Sequence, residues 1–192
     1  MPLYIPESYN RFNLVGLDPG INFTGVSVYT LDHGVIESIR AFTIRPNPKD
    51  GRVSEAIDIV GERYIKLKSL SLTIESICNF YNPSVVVCEG PFYSRFRPMA
   101  YASLVETLSF IRNGVYSHDP YIEIPIIQPL LIKKTIGAGI MSGKVDVTRA
   151  ITNKRCIMDK LTNPLDSLDE HSQDAIAIMY TYLNLIGDPS CS

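Results

Sequence analysis

Three short acidic segments stand far apart in the chain: Gly16-Leu17-Asp18-Pro19-Gly20, Val87-Cys88-Glu89-Gly90 and His171-Ser172-Gln173-Asp174-Ala175. Carboxylate oxygens recruit hard divalent ions such as Mg²⁺. Two such ions about 3.5–4 Å apart can activate a water and steady the leaving oxygen of a phosphodiester. Brought together, the three segments would make a divalent-metal nuclease site. Each alone has a plainer reading. Asp18 sits in Asp-Pro-Gly turn punctuation. Glu89 could be a rim glutamate paired with Arg95 or Arg97. His171 could be a solvent-facing histidine at a helix start. On a helix, His171 and Asp174 share a face, and Glu170, four residues before Asp174, is the rival ligand. A histidine ligand would move the preference toward Mn²⁺ relative to an all-carboxylate set.

Two further stretches have chemistry suited to nucleic acid. Phe92 and Tyr93, with Arg95 and Arg97, follow Glu89 in a loop. Aromatic rings there could stack on unpaired bases or wedge between them, or else pack beneath the loop. Lys133, Lys134, Lys144, Arg149, Lys154, Arg155 and Lys160 outnumber Asp146 and Asp159 in the one clearly basic region. Those cations are either solvated helix charge or phosphate contacts that make binding fall steeply with salt. A formal net charge of −2 excludes coating nucleic acid by bulk electrostatics, so any DNA contact must be a local patch.

These residues need elements to aim them. Asn13 to Leu17 reads as a strand ending at Asp18, where proline fixes φ and glycine turns the chain. Phe23 to Thr30 and Gly34 to Ile44 are β-branched and aromatic, and Leu31-Asp32-His33-Gly34 joins them with hairpin chemistry, which gives an antiparallel meander. From Val53 an apolar stripe at helical spacing runs to Phe80 and is stopped by Asn82-Pro83. Ser84 to Glu89 is a buried-type strand, parallel to an earlier one after this crossover. A helix from Met99 to Arg112, a fifth strand from Tyr121 to Ile127, a helical turn and glycine-rich loop over Lys133 to Gly143, and helices over Val145 to Met158 and Ser172 to Leu185 complete the order. The expected fold is α/β, with a mixed five-stranded sheet flanked by helices. Asp18 and Glu89 then stand at strand C-terminal ends, where open α/β sheets bind ligands.

The length of 192 residues, 45% of them hydrophobic, predicts a single domain over 1–192. Apolar runs are far shorter than the roughly 20 residues of a membrane span, and the N-terminus has no apolar h-region. The expectation is a protein without membrane association or secretion, in the cytoplasm or whichever host compartment holds the DNA. Cys78, Cys88, Cys156 and Cys191 are scattered and read as reduced packing thiols.

With these motifs in order, the sequence resembles the RuvC family of Holliday junction resolvases, within the RNase H-like nucleases. The likeness spans most of the chain. It rests on Asp18 in its G-x-D-P-G turn, Glu89 closing the fourth strand, and His171 three residues before Asp174, followed by the D-A-x-A-I-like run. It rests also on Glu89-Gly90-Pro91-Phe92 and on Ile132-Lys133-Lys134-Thr135, Gly137-Ala138-Gly139 and Lys144-Val145-Asp146-Val147. The resemblance implies an RNase H-like fold with Asp18, Glu89, His171 and Asp174 as metal ligands for two Mg²⁺ ions, or Mn²⁺. It also implies paired nicking of four-way junctions to leave 5′-phosphate ends, a homodimer, an aromatic wedge, and lysines near the DNA backbone. Pro91, Tyr93 and the long segment Cys156 to Glu170 depart from the family pattern and leave substrate preference open. A nuclease for flaps, forks or Y-junctions and a non-cleaving branched-DNA binding module are the alternatives.

Overall fold

Alternating apolar and polar residues make the first three strands, β1 (Arg11–Asp18), β2 (Thr24–Asp32) and β3 (Val35–Ile44), which form the expected antiparallel meander. His33 and Gly34, both at positive φ (50° and 78°), form the two-residue turn whose twist matches a hairpin. The unbroken apolar run Val85 to Cys88 makes β4 (Pro83–Glu89), buried from both faces and parallel to β1. With β5 (Ile126–Ile127) parallel to β4, the sheet order is β3-β2-β1-β4-β5. This computed structural model describes residues 11–49, 57–93, 95–96, 98–138 and 144–187, without the side chains of 57, 144 and 145.

The fifth strand is shorter than Tyr121 to Ile127. Its backbone still follows β4, accepting from the N–H groups of Val86 and Cys88 at the carbonyls of Glu123 and Pro125. Pro125 has no N–H to return, so the pairing is interrupted there, leaving an isolated bridge at Glu123 and a ladder at Ile126 and Ile127.

The helices differ from expectation mainly at their ends. Gly61, at φ 82°, separates α1 (Ile57–Val60) from α2 (Glu62–Tyr81), and the start expected at Val53 lies outside the described residues. α3 (Pro98–His118) runs on past Arg112. It packs so closely on α2 that a Cβ on Gly114 would lie 2.3 Å from the Ser71 carbonyl oxygen. α4 (Pro129–Ile136) begins before Lys133, with proline in its first turn, and ends at Gly137 in the left-handed conformation. The rest of the glycine-rich loop, 139–143, lies outside the described residues. The helix expected over Val145 to Met158 is two, α5 (Lys144–Thr152) and α6 (Arg155–Met158), because Lys154 is extended. α7 (Glu170–Leu185) starts two residues earlier than expected, since Asp169 caps it by accepting the Ser172 N–H at 3.0 Å.

Strand alternation sorts two cores. Leu14, Val85 and Val87 pack with Ile132, Ile151 and Ile176 of α4, α5 and α7 on one face. On the other, Val15, Leu17 and Val86 pack with Leu70, Ile74 and Ile111 of α2 and α3. Burial in this second core pushes the Cys78 and Cys88 thiols up to about 12, so they pack as neutral groups. The long segment before α7 has a structural role. Ile39 donates to the Lys160 carbonyl at 2.8 Å and accepts from the Thr162 N–H at 2.9 Å, which covers the free edge of β3. No helix among the described residues is long and apolar enough to cross a membrane.

Candidate active site

Leu17 of β1 lies beside Cys88 of β4, so Asp18 and Glu89 leave the sheet at the same edge. The N-terminus of α7 reaches them only because two strand positions are bare. A Cβ on Gly25 would come 1.9 Å from the His171 carbonyl oxygen, and one on Gly16 would come 2.8 Å from that of Ala175. Ser27 Oγ then donates to the Ala175 carbonyl at 2.7 Å and Tyr29 OH to that of Ile176 at 3.0 Å, pinning the helix to β2. Because backbone blocks the added methyl, Gly25→Ala is expected to cost about 3 kcal/mol or more in chemical denaturation. A loss within about 0.5 kcal/mol would mean that the helix sits less tightly than this.

Seated this way, α7 points His171 Nδ1 at Asp18 Oδ2, 2.8 Å away. Facing a carboxylate, Nδ1 carries the proton. The hydrogen bond to Asp18 raises the proton affinity of the imidazole; burial opposes this, and the charges of Asp18, Glu170 and Asp169 add to it. Glu170 is exposed, its Oε1 3.7 Å from His171 Nε2, so His171 is the one facing Asp18. The Glu89 carboxyl is pushed up to about 8, first by burial, then by the charges of Asp18 and Asp174 and by hydrogen bonding with Asp18, while Lys133 pulls it down. Asp174 and Lys133 join Glu89 around a cavity of about 90 Å³, which Ile132, Ile136 and Val147 also line. Among the described residues Glu89 thus has two carboxylates and a lysine as its charged neighbours, and the alternative pairing with Arg95 is not made; Arg97 lies outside the described residues.

The three acidic segments therefore meet at one strand edge. Among the described residues, however, no three His, Cys, Asp or Glu side chains are arranged to hold a metal ion. His171 donates to Asp18 instead, and burial, then Asp18 and Asp174, raise the proton affinity of Glu89.

No family model and no curated relative matches the sequence. Solved structures do. Thermus thermophilus RuvC superposes with a TM-score of 0.63 at 18% identity, covering 92% of this chain and 97% of that one. The same protein in complex with a Holliday junction substrate gives 0.65 at 15% identity, with 94% and 98% covered. The yeast mitochondrial Holliday junction resolvase gives 0.61 at 16%, with 91% and 79% covered. The chain has an RNase H-like fold, similar to that of RuvC.

On this fold the predicted nucleic-acid residues divide. Phe92 and Tyr93 are each 58% exposed, so neither packs beneath its loop, although Tyr93 meets Tyr101 edge-on at 5.7 Å. Arg95 is exposed, and Arg97 lies outside the described residues. Lys133 turns to the cavity; Lys134 and Arg149 are exposed; the Lys144 side chain lies outside the described residues. Lys154 instead covers the Tyr180 ring at 5.3 Å, farther along α7.

Several contributors were not singled out from sequence. Phe96, 96% exposed, is the barest ring of the aromatic loop, and Met99, three residues on at the start of α3, is also exposed. Its position between Arg95 and Arg97 was the available signal. Phe23 stacks on His171, with ring centroids 5.6 Å apart. Thr43 donates to Asp169, tying the α7 cap to β3 at 2.5 Å.

Proposed function

We propose that the protein is a divalent-metal-dependent endonuclease acting on branched DNA. One observation supports this above the rest: Asp18, Glu89, Asp174 and His171 gather at one strand edge, where burial and then the two neighbouring carboxylates raise the proton affinity of Glu89. Such an excess of negative charge fits a hard cation, and these four residues would hold it. Bound there, the cation supplies charge that acidifies a water and neutralises a phosphodiester. Around it, Asp18 fixes the imidazole through Nδ1, which leaves Nε2 either to ligate the cation or, where it does not, to take or give a proton. Lys133 faces the same cavity and can meet a phosphate oxygen. Beyond Glu89, exposed Phe92, Tyr93 and Phe96 offer faces on which unpaired bases at a branch can stack.

The finer reading is paired nicking of four-way junctions, leaving 5′-phosphate ends, by a homodimer whose two sites are related by a two-fold axis. Flaps, forks and Y-junctions offer the same unpaired bases and are equally compatible with the exposed loop. Incubating the protein with labelled four-way, three-way, flap and linear duplex DNA in Mg²⁺ or Mn²⁺ ranks these substrates. Among the described residues no three side chains form a ready-made ion cage, which favours a second reading, a branched-DNA binding module. Tight binding with no cleavage of any substrate would establish that reading and sink the enzyme. Phe96→Ala is expected to slow cleavage of branched DNA about 10-fold, the scale of one lost base stack, with less effect on affinity for linear duplex. An unchanged rate would remove Phe96 from the substrate path.

A further inference from the structure

Phe23 and Arg45 form a pair to which the proposed chemistry gives no task. Phe23 lies in the turn between β1 and β2 and is 41% exposed, an unusual place for a large apolar ring. Its ring stacks on the His171 imidazole with 12° between the planes. Arg45, the first residue after β3, sets its guanidinium carbon 5.4 Å from the Phe23 centroid. Arg45 is exposed, and among the described residues no carboxylate pairs with it. Arg45, Phe23, His171 and Asp18 thus form one continuous series from solvent to the end of β1. This series stands on the β2 side of Asp18, whereas Lys133 and its cavity lie on the β4 side.

We propose that Arg45, seated on Phe23, is a phosphate-binding arm that grips the nucleic-acid backbone on the β2 flank of the site. This rests on the nuclease reading and assigns that site a second cationic flank. An arginine lying on a ring keeps its fork of donors free while losing little further rotamer freedom on binding, and that fork matches phosphate oxygens. Three carboxylates would repel an approaching backbone, so cations on both flanks give the strand a path across them. Phe23 also acts as a positioning residue, holding the imidazole plane through the stack.

The test uses the full chain and a fluorescent branched DNA, with affinity measured against KCl in EDTA and cleavage measured separately in Mg²⁺. Arg45→Ala is expected to flatten the slope of log affinity against log salt by about one phosphate contact. It is also expected to raise KM about 10-fold, with a smaller fall in kcat. Arg45→Lys should recover the slope. Phe23→Leu, which keeps apolar bulk should Phe23→Ala unfold, should lower kcat and part of the slope together. A wild-type slope in Arg45→Ala, with wild-type cleavage present, would overturn the arm alone. Binding without cleavage by the wild type would overturn the nuclease reading and leave the slope comparison to decide on Arg45.

Discussion

Asp18→Asn is expected to lower cleavage about 10³-fold or more, the scale of losing a preorganised electrostatic group, while DNA affinity stays within about threefold. The substitution is isosteric, so the turn after β1 and the contact between Gly25 and α7 should survive. What changes is charge and hydrogen-bond polarity. Asp18 accepts from His171 Nδ1 at 2.8 Å and hydrogen-bonds with Glu89. The amide keeps one acceptor and turns an N–H₂ toward one of these partners, so the imidazole or the glutamate loses its anchor. A second readout separates loss of a cation ligand from general damage. A cation at 100 times its Kd stabilises a folded protein by about 2.7 kcal/mol, so Mn²⁺ should raise the Tm of the wild type and leave that of Asp18→Asn unmoved. Full cleavage in the variant would dismiss Asp18 from the site, and an unfolded variant would return it to the role of turn former.

The strands could be read from sequence because period-two alternation and the Val85 to Cys88 run are local signals that burial reinforces. The Asn82-Pro83 stop rests on local backbone chemistry too. The breaks at Gly61 and Lys154 were missed because an apolar stripe says which side of a helix is buried but not whether the backbone is continuous. Pro125 shortened β5 through an absent N–H, a cue present in the sequence but outweighed by its apolar neighbours. At the site, Asp18, Glu89 and Asp174 were legible because each lies in a motif tied to a strand or helix end. Phe23 on His171 was not, since the two residues are brought together only by α7 descending on Gly16 and Gly25, and no local pattern records that descent. Whether Glu170 or His171 turns to Asp18 depended likewise on where Asp169 caps the helix, and the cap lies two residues from the expected start.

Glu89→Gln is expected to abolish most of a pH dependence that the wild type shows without metal. The folded-state affinity of Glu89 for its proton is raised from the ordinary 4.5 to about 8 by burial and then by Asp18 and Asp174. Below pH 4.5 the carboxyl is neutral in both folded and unfolded chains, and its neighbourhood costs nothing. Between 4.5 and 8 the unfolded chain releases the proton while the folded chain keeps it, so stability falls as pH rises; above 8 the full penalty, a few kcal/mol, is present. His171 adds a slope of the same sign, because its raised affinity supports the fold below its ordinary 6.5 and that support is lost as pH climbs through the folded value. The variant separates the two, since glutamine removes only the Glu89 contribution. Urea denaturation in EDTA at pH 5 and pH 8 should show the wild type losing a few kcal/mol more than Glu89→Gln over that interval, and Mg²⁺ should restore the wild type selectively at pH 8. Parallel curves for the two proteins would mean that Glu89 ionises freely in the fold, and with that the charge argument for a cation between Asp18 and Asp174 would collapse.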